Sequence, residues 1–592
     1  MRGGSQMDNK WSLKEIYDSY ESKGFQEDMK KLESLGAKMN EFSQGLNGEV
    51  DKETVRRLLL LWEEYTAVVD KLITYCSLTQ STNTQDSMSA SLLGQISSKV
   101  SDTAKANTIM KKYLANIEDV EAFAQGDELF LEYRYFIENN KKECNYLLSD
   151  EVEEVIAKLD ITSAQAWSDL QGYLTSMAKA EYDGRMATLT ELRNLAYDPD
   201  QKVRKAAYEA ELLCYDKIKD AISFSLNSIK GQVNTICKLR GYESPLDKTL
   251  QQSNMKRETL EAMLSAMREY MPKFHAYLRR KGEMLGSTKG LAWYDLFAPL
   301  GKSETKFTVE EARAYLIKHF SKFAPDLTQM VNEAFDQEWI DFFPREGKVG
   351  GAFCADVFDL KQSRILTNFD GSLSDVVTLA HELGHAYHNQ NIHEHRILNT
   401  QYSMPVAETA STFNENIIMN AAIAEANPEE KMALIEGQLQ DLTQIICDIY
   451  SRFLFEKKVF EKREESFMFS DELKEIMLEA QKEAYGDGLD ATTLHPYMWV
   501  CKGHYYSGGL SFYNFPYAFG GLFARGLYAV YEKEGEAFLS KYQDLLRATP
   551  VCDVEDVAEY AGIDLTNPQF WRDALAQVEK QIDEFLQLSQ EL

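Results

Sequence analysis

The sequence predicts a mainly α-helical protein of two lobes with one small β-sheet. Apolar residues recur at intervals of three and four in many segments, which is typical of helices that bury one face. The clearest stripe of this kind comprises Phe25, Met29, Leu32, Leu35, Met39 and Phe42. A break at residues 195–201 separates two helical regions, and residues 340–370 are the best place in the chain for strands.

The first lobe is predicted to span residues 1–195 and to consist of long amphipathic helices. Residues 195–201 contain an Asp-Pro pair, and the residue before a proline favours an extended or turn conformation. We therefore place the lobe boundary here. Residues 196–592 are predicted to form the second lobe, which carries the candidate site.

Residues 340–370 differ in composition from the helical stretches on both sides. One proline and three glycines fall within residues 344–351, and short apolar runs follow at 352–355 and 364–369. This pattern is typical of short strands joined by turns, so we expect a small sheet. A free edge strand can hold an extended peptide by main-chain hydrogen bonds. The alternative is a hairpin that only packs against its neighbours.

The next segment is predicted to be a helix that carries a metal site. Ser372 and Asp375 fit a capping box, in which a serine is followed three residues later by an acid. The chain then reads His-Glu-Leu-Gly-His, beginning at His381. Histidines four residues apart share one helical face, so His381 and His385 can bind one zinc ion. Glu382 projects beside the metal, where it can take a proton from water.

Two faces of this helix are expected to have different roles. One anchors the helix in the core and comprises Val376, Ala380, Leu383 and Tyr387. The other faces a cavity and comprises Val377, His381, His385 and His388. His393 and His395, in the polar turn that follows, are expected at the surface.

A third ligand is needed, because a catalytic zinc usually has three protein ligands and one open position. Glu408 is the candidate. Pro405 is expected to begin a new helix with Glu408 in its first turn, and a chain reversal over residues 389–403 returns Glu408 to the histidines. Glu415, two turns further along that face, and His388 are candidates for contacts that orient a ligating histidine.

These motifs resemble the oligoendopeptidase F branch of the thimet oligopeptidase-like zinc peptidases. The stretches that carry the resemblance are residues 381–388, 408–413, 197–204, 294–300, 345–354 and 512–520. The resemblance is clear over residues 195–590 and looser over the N-terminal third. It implies a two-lobed helical zinc peptidase with a deep cleft and one Zn²⁺ per chain. The implied reaction is hydrolysis of internal bonds in short, unfolded peptides.

The resemblance also implies roles for residues outside the metal motif. When water attacks an amide, the carbonyl oxygen becomes an oxyanion, and neutral donors beside it stabilise the transition state. The implied donors are His504, Tyr513 and Tyr517. Which tyrosine is the main donor is left open, because the spacing after the histidine differs from that of the thimet oligopeptidase branch. The implied peptide-docking residues are Gly350, Gly351, Ala352 and Phe353.

Composition restricts the partners and the compartment. Over 592 residues, Lys and Arg number 64 and Asp and Glu number 94, a net charge of −30, which argues against nucleic acid and anionic membranes. Eight cysteines are scattered without a C-x-x-C pair and without a preceding secretory signal, so reduced thiols in the cytoplasm are expected. We find no apolar run of about 18 residues, the length of a membrane span. Composition does not give the oligomeric state.

Two alternatives to the endopeptidase hypothesis are open at this stage. The same metal site could belong to an exopeptidase, as in related helical zinc carboxypeptidases, or the chain could be a non-enzymatic peptide-binding scaffold. A complete set of ligands with Glu382 intact speaks against the scaffold. Manganese or cobalt could replace zinc, although two histidines and a glutamate suit zinc best.

Overall fold

The structure is a computed structural model that describes residues 9–47, 49–301 and 305–591. Most of these residues are helical, and the predicted mainly α-helical fold is confirmed. The helices before residue 200 are α1 (Lys23–Gln44), α2 (Lys52–Thr82), α3 (Ser87–Ser101), α4 (Ala104–Ala115), α5 (Val120–Ala124), α6 (Glu128–Glu132), α7 (Arg134–Cys144), α8 (Asp150–Thr162), α9 (Ala164–Met177) and α10 (Leu189–Asn194).

The remaining helices carry or surround the candidate site. Up to the metal motif and its partner helix they are α11 (Gln201–Arg240), α12 (Pro245–Gln252), α13 (Arg257–Met284), α14 (Val309–Phe320), α15 (Pro325–Asp336), α16 (Leu373–Ile392) and α17 (Thr409–Glu425). After it they are α18 (Pro428–Thr443), α19 (Ile449–Glu465), α20 (Ser470–Tyr485), α21 (Met498–Cys501), α22 (Phe515–Glu534), α23 (Phe538–Ala548), α24 (Val554–Glu559) and α25 (Pro568–Glu591).

Two small sheets interrupt the helices. The strands are β1 (Lys179–Tyr182), β2 (Arg185–Thr188), β3 (Ile340–Asp341), β4 (Phe353–Val357) and β5 (Gln362–Leu366). The β1–β2 hairpin lies in a region that we predicted to be helical. Its turn is Asp183-Gly184, and both residues have positive φ, 49° and 73°. An Asp-Gly pair is the preferred sequence for such a two-residue turn, which explains the difference.

The sheet predicted within residues 340–370 is present and consists of three strands. β5 lies in the centre, parallel to β3 and antiparallel to β4. The amide of Asn389, on α16, donates to Oγ of Ser363, on β5, over 3.1 Å. The sheet therefore packs directly against the helix that carries the metal motif.

The two edges of this sheet are not equivalent. The N-terminal segment runs beside β3, where the N–H of Ser12 donates to the carbonyl of Glu338 at 2.8 Å and that of Phe342 donates to the carbonyl of Asn9 at 3.0 Å. Over the described residues, no main-chain hydrogen bond reaches the outer edge of β4. β4 is thus the strand whose edge is free to accept another chain.

Two hydrophobic clusters form the cores of the two lobes. One draws on residues 11–137 together with two residues of the sheet, and the other on residues 164–585. The change from one core to the other precedes the break at residues 195–201, where a short 3-10 turn leads into α11. The assignment of the lobes to residues 1–195 and 196–592 stays a prediction.

α16 begins where its sequence indicates. Ser372 and Asp375 form the predicted capping box. All four residues of the predicted core face are fully buried, namely Val376, Ala380, Leu383 and Tyr387. In the part of the chain that the structure describes, no helix has the length and apolar character required to cross a bilayer.

Candidate active site

Atoms from α16 and from the start of α17 meet at one point. Nε2 of His381 lies 3.2 Å from Nε2 of His385. Oε2 of Glu408 lies 3.3 Å from each of these nitrogens. The structure therefore brings the three predicted ligands together in a nearly equilateral triangle, as a metal ion requires.

The dimensions of this triangle fit zinc. Tetrahedral coordination with bonds of about 2.0–2.1 Å separates neighbouring ligand atoms by about 3.3–3.4 Å. Nδ1 of His381 donates to Oε1 of Glu415 over 2.6 Å, so the lone pair of Nε2 is directed to the triangle. Glu415 thus lies where the sequence predicted it, against the candidate ligand His381.

The charges around the triangle favour a cation. Burial lowers the pKa of His381, but hydrogen bonds to Glu408 and Glu415 more than reverse this and raise it to about 10. Burial likewise opposes ionisation of Glu408, yet the two histidines hold the pKa of that carboxyl well below its usual range. Positive charge at this position is therefore stabilised by the surrounding carboxylates.

A glycine allows the two helices to approach closely enough for this geometry. A Cβ atom placed on Gly384 would lie 2.5 Å from the carbonyl oxygen of Ala410 and from Cα of Ser411. The hydroxyl of Ser411 donates to Oε2 of Glu408 over 2.5 Å. Our sequence interpretation missed both contacts. A glycine inside a helical pattern was the available signal for the first.

Glu408 differs from its predicted position within the helix. Residues Met404–Val406 form a short 3-10 turn, and α17 begins only at Thr409, so Glu408 is its N-cap residue. The chain reversal over residues 389–403 still returns Glu408 to the histidines. A Cβ atom on Gly520, from α22, would lie 3.1 Å from Cβ of Glu408, so this third helix also restricts the glutamate.

Glu382 lies beside the triangle at the edge of a cavity. Its side chain is almost buried, and within the described chain its carboxylate has no hydrogen-bond partner. Burial raises the pKa of Glu382, although His381 and His385 oppose the shift. A carboxylate that is free of partners and holds its proton more readily than usual is suited to proton transfer.

The cavity has a volume of about 860 Å³ and lies between the two lobes. From the first lobe, α2 contributes Trp62, Thr66 and Asp70. From the other side come β4, α16 and the segment that leads to Glu408. The predicted docking residues Ala352 and Phe353 belong to this lining, whereas Gly350 and Gly351 lie just before β4 with open space around them.

His504, Tyr513 and Tyr517 form a second group of polar rings. The imidazole of His504 stacks on Tyr513 with centroids 4.7 Å apart, and Tyr517 meets Tyr513 edge-on at 5.7 Å. None of the three belongs to the lining of the 860 Å³ cavity. The negative charge of Glu408 contributes to the raised pKa of Tyr517, whose main cause is burial. Tyr517 is therefore within electrostatic reach of the triangle.

Three other histidines differ from their predicted surroundings. His388 is fully buried and bonded through Nε2 to Thr549 at 2.8 Å, so it neither lines the cavity nor hydrogen-bonds a ligand. The prediction that it faces the cavity is wrong, because Tyr402 stacks on its ring and covers it. His393 is buried against Asp356 and His395 is bonded to Glu132, so neither is the surface residue that we expected.

Comparison with known proteins identifies the family of the chain. A family model for peptidase family M3 matches residues 194–577, and one described as Oligopeptidase F matches residues 115–178. Oligopeptidase PepF of Bacillus subtilis is 23% identical over 590 residues, which covers 98% of this chain and 87% of that protein. An Oligoendopeptidase F homolog of Borreliella burgdorferi is 24% identical over 581 residues, with 94% of each chain covered.

Solved structures share the fold. A structure from Chlamydophila abortus superposes with a TM-score of 0.84 at 19% identity and covers 98% of both chains. Oligoendopeptidase-F from Enterococcus faecium superposes with a TM-score of 0.70 at 19% identity, covering 96% of this chain and 99% of its own. Because the M3 family model covers more than half of the sequence, this protein belongs to peptidase family M3 and is a metallopeptidase.

Proposed function

We propose that this protein is a zinc-dependent endopeptidase that cleaves internal bonds of short oligopeptides. The observation that carries the proposal is the triangle of His381, His385 and Glu408, with edges that suit zinc and with Glu382 beside it. Zinc bound there would activate water and polarise the carbonyl of the scissile bond. Side chains of the protein carry out the proton transfers and stabilise the oxyanion.

Glu382 is the proposed proton carrier. It takes a proton from the attacking water and passes it to the amine that leaves. Since burial raises the pKa of Glu382, protonation of its carboxylate costs less free energy than protonation of an exposed glutamate. Such a general base and acid typically contributes a factor of about 10²–10⁴ to the rate.

His504, Tyr513 and Tyr517 are the proposed donors to the oxyanion. Burial, with the charges of Arg452 and Lys502, lowers the pKa of His504, so its imidazole is neutral at pH 7 and retains one N–H to donate. Burial raises the pKa of Tyr517, which keeps its hydroxyl protonated. Neutral donors stabilise a developing negative charge without binding an anion in the resting enzyme.

The free edge of β4 is the proposed docking site for the peptide. An extended substrate can add a strand there through main-chain hydrogen bonds, beginning at Gly350, Gly351, Ala352 and Phe353. The cavity between the lobes favours a short, unfolded chain. The names of the relatives, oligopeptidase and oligoendopeptidase, support the same substrate class.

We also propose that the protein acts in the cytoplasm.

The proposal is tested by metal analysis and peptide cleavage of the wild type and of Glu382→Gln. The expected result is one zinc per chain in both proteins and a loss of kcat of about 10²-fold or more in the variant. Glu394→Gln is the matched control, because Glu394 lies on the surface and, among the described residues, its one ion pair is with Arg547. Full activity of Glu382→Gln with zinc bound would contradict the mechanism.

The cleavage products of a peptide of about ten residues distinguish the proposed activity from that of an exopeptidase. Internal cuts that release two medium-sized fragments support the endopeptidase. Stepwise release of one or two residues from an end would instead indicate the exopeptidase.

A further inference from the structure

The segment that carries Tyr513 contains a strained residue. Residues 507–514, here called the aromatic loop, connect the turn of His504 to α22. Phe512 in this loop has φ of +52°, in the left-handed region that disfavours side chains with a Cβ atom. Such a conformation persists only where the surroundings impose it, and it is frequent at functional sites.

A buried carboxylate holds the strained residue. The N–H of Phe512 donates to Oε2 of Glu456, on α19, over 3.1 Å. The other oxygen, Oε1, accepts from Nζ of Lys230, on α11, over 2.7 Å. The Lys230 side chain is 0% exposed and that of Glu456 is 1% exposed. A charged acceptor in such surroundings makes a stronger hydrogen bond to the backbone than a neutral one.

Packing and further hydrogen bonds fix the same loop. The ring of Phe512 lies 5.3 Å from that of Phe453 and 5.6 Å from that of Phe460, and the ammonium of Lys230 lies 4.6 Å from the Phe460 ring. The hydroxyl of Thr249 donates to the carbonyl of Ser511 over 2.9 Å. These contacts leave the next residue, Tyr513, stacked on His504.

We propose that Glu456, balanced by Lys230, is a positioning residue that holds Phe512 in its left-handed conformation and thereby orients Tyr513 for catalysis. The inference rests on the proposed function, in which Tyr513 is a donor to the oxyanion. Glu456 itself touches neither substrate nor metal. The essential element is the acceptor at its Oε2 atom, and the charge of Lys230 serves to make a buried carboxylate tolerable.

Two double variants isolate that acceptor. Lys230→Met/Glu456→Gln removes both charges and keeps an oxygen for the N–H of Phe512. Lys230→Met/Glu456→Leu removes both charges and the acceptor. Neither leaves an unpaired buried charge, so both are expected to fold. We expect the first to keep kcat within about threefold of the wild type, and the second to lose about 10–100-fold, the value of a strong hydrogen bond.

If Glu456 had only a structural role, the two double variants could differ in Tm but would have the same kcat. We expect KM and zinc content to stay unchanged in both Glu456 double variants, since within the described residues the hydrogen bonds of Glu456 go to Lys230 and Phe512 and not to β4 or the proposed metal ligands. The matched control is the pair Lys281 and Glu436, also joined at 2.7 Å and equally buried. Lys281→Met combined with Glu436→Gln or Glu436→Leu should alter Tm and leave kcat within about twofold. Equal kcat in the two Glu456 variants would overturn the inference.

Tyr513→Phe separates failure of the inference from failure of the proposed function. We expect this variant to lower kcat, and in its background the two Glu456 variants should have the same kcat. A difference that persists there would show that Glu456 does not act through Tyr513 and would overturn the inference. An unchanged kcat in Tyr513→Phe alone would remove Tyr513 from the proposed mechanism and this inference with it, while the roles of Glu382 and the ligands would stand.

Discussion

Gly384→Ala should damage the metal site without changing any ligand. The added Cβ atom would lie 2.5 Å from the carbonyl oxygen of Ala410, whereas ordinary van der Waals contact begins at 3.4 Å. α16 and α17 must therefore separate by nearly an ångström, because both contacts on α17 are backbone atoms. Glu408 is two residues before Ala410, so the triangle with edges of 3.2–3.3 Å would open.

The size of the effect follows from two opposing terms. Alanine in a helix interior is favoured over glycine by about 1 kcal/mol. Overpacking costs about 1–3 kcal/mol, and displacement of a ligand by a large fraction of an ångström should weaken zinc binding by roughly tenfold or more. We expect a lower Tm and a higher Kd for zinc, measured by thermal unfolding and by competition with a chelator.

Gly172→Ala is the matched control for this prediction. Gly172 lies within α9, and a Cβ atom there meets nothing within 4 Å. This variant should be as stable as the wild type or more stable by up to about 1 kcal/mol, with unchanged zinc affinity. If Gly384→Ala behaved like Gly172→Ala, the close approach of α16 and α17 would not determine the geometry of the site.

Three further predictions concern the surroundings of the ligands. Glu415→Gln should weaken zinc binding by about 10–100-fold in chelator competition while kcat at saturating zinc falls less, because the variant orients His381 poorly but leaves all three ligands. Burial lowers the pKa of His388 from 6.5 to about 3, so the folded protein resists its protonation and should lose about 1.4 kcal/mol of stability for each unit that the pH falls between 6.5 and about 3. In urea unfolding at pH 7 and pH 5, the free energy of unfolding of His388→Gln should lack this dependence on pH. Parallel pH profiles for the variant and the wild type would contradict the lowered pKa of His388. Removal of zinc by a chelator should lower Tm and abolish cleavage, and added zinc should restore both; a Tm that does not change would mean that the ion is not bound by the folded protein.

Local signals in the sequence were sufficient for the helix that carries the metal site. The capping box at Ser372, the core face from Val376 to Tyr387 and the spacing of His381 and His385 all act within a few turns of one helix. Glu408 could be placed beside the two histidines because it follows after a single chain reversal. The short strands before the helix were visible as a change in composition, since glycine and proline end helices.

Features that depend on distant partners could not be predicted in the same way. Buried His388 finds its hydrogen-bond partner in Thr549, which is 161 residues away, and the pairing of Lys230 with Glu456 spans 226 residues. The close approach at Gly384 was recognisable only as an unexplained glycine in a helix. In contrast, the Asp183-Gly184 turn was a local signal that the helical pattern of its neighbours obscured.

The proposed coordination is best tested by a crystal structure of the zinc-loaded protein with anomalous scattering recorded at the zinc edge. We expect one strong peak bonded to Nε2 of His381, Nε2 of His385 and an oxygen of Glu408, at about 2.0–2.1 Å each. A peak elsewhere, or one at the histidines with Glu408 turned away and no other acid in its place, would contradict it.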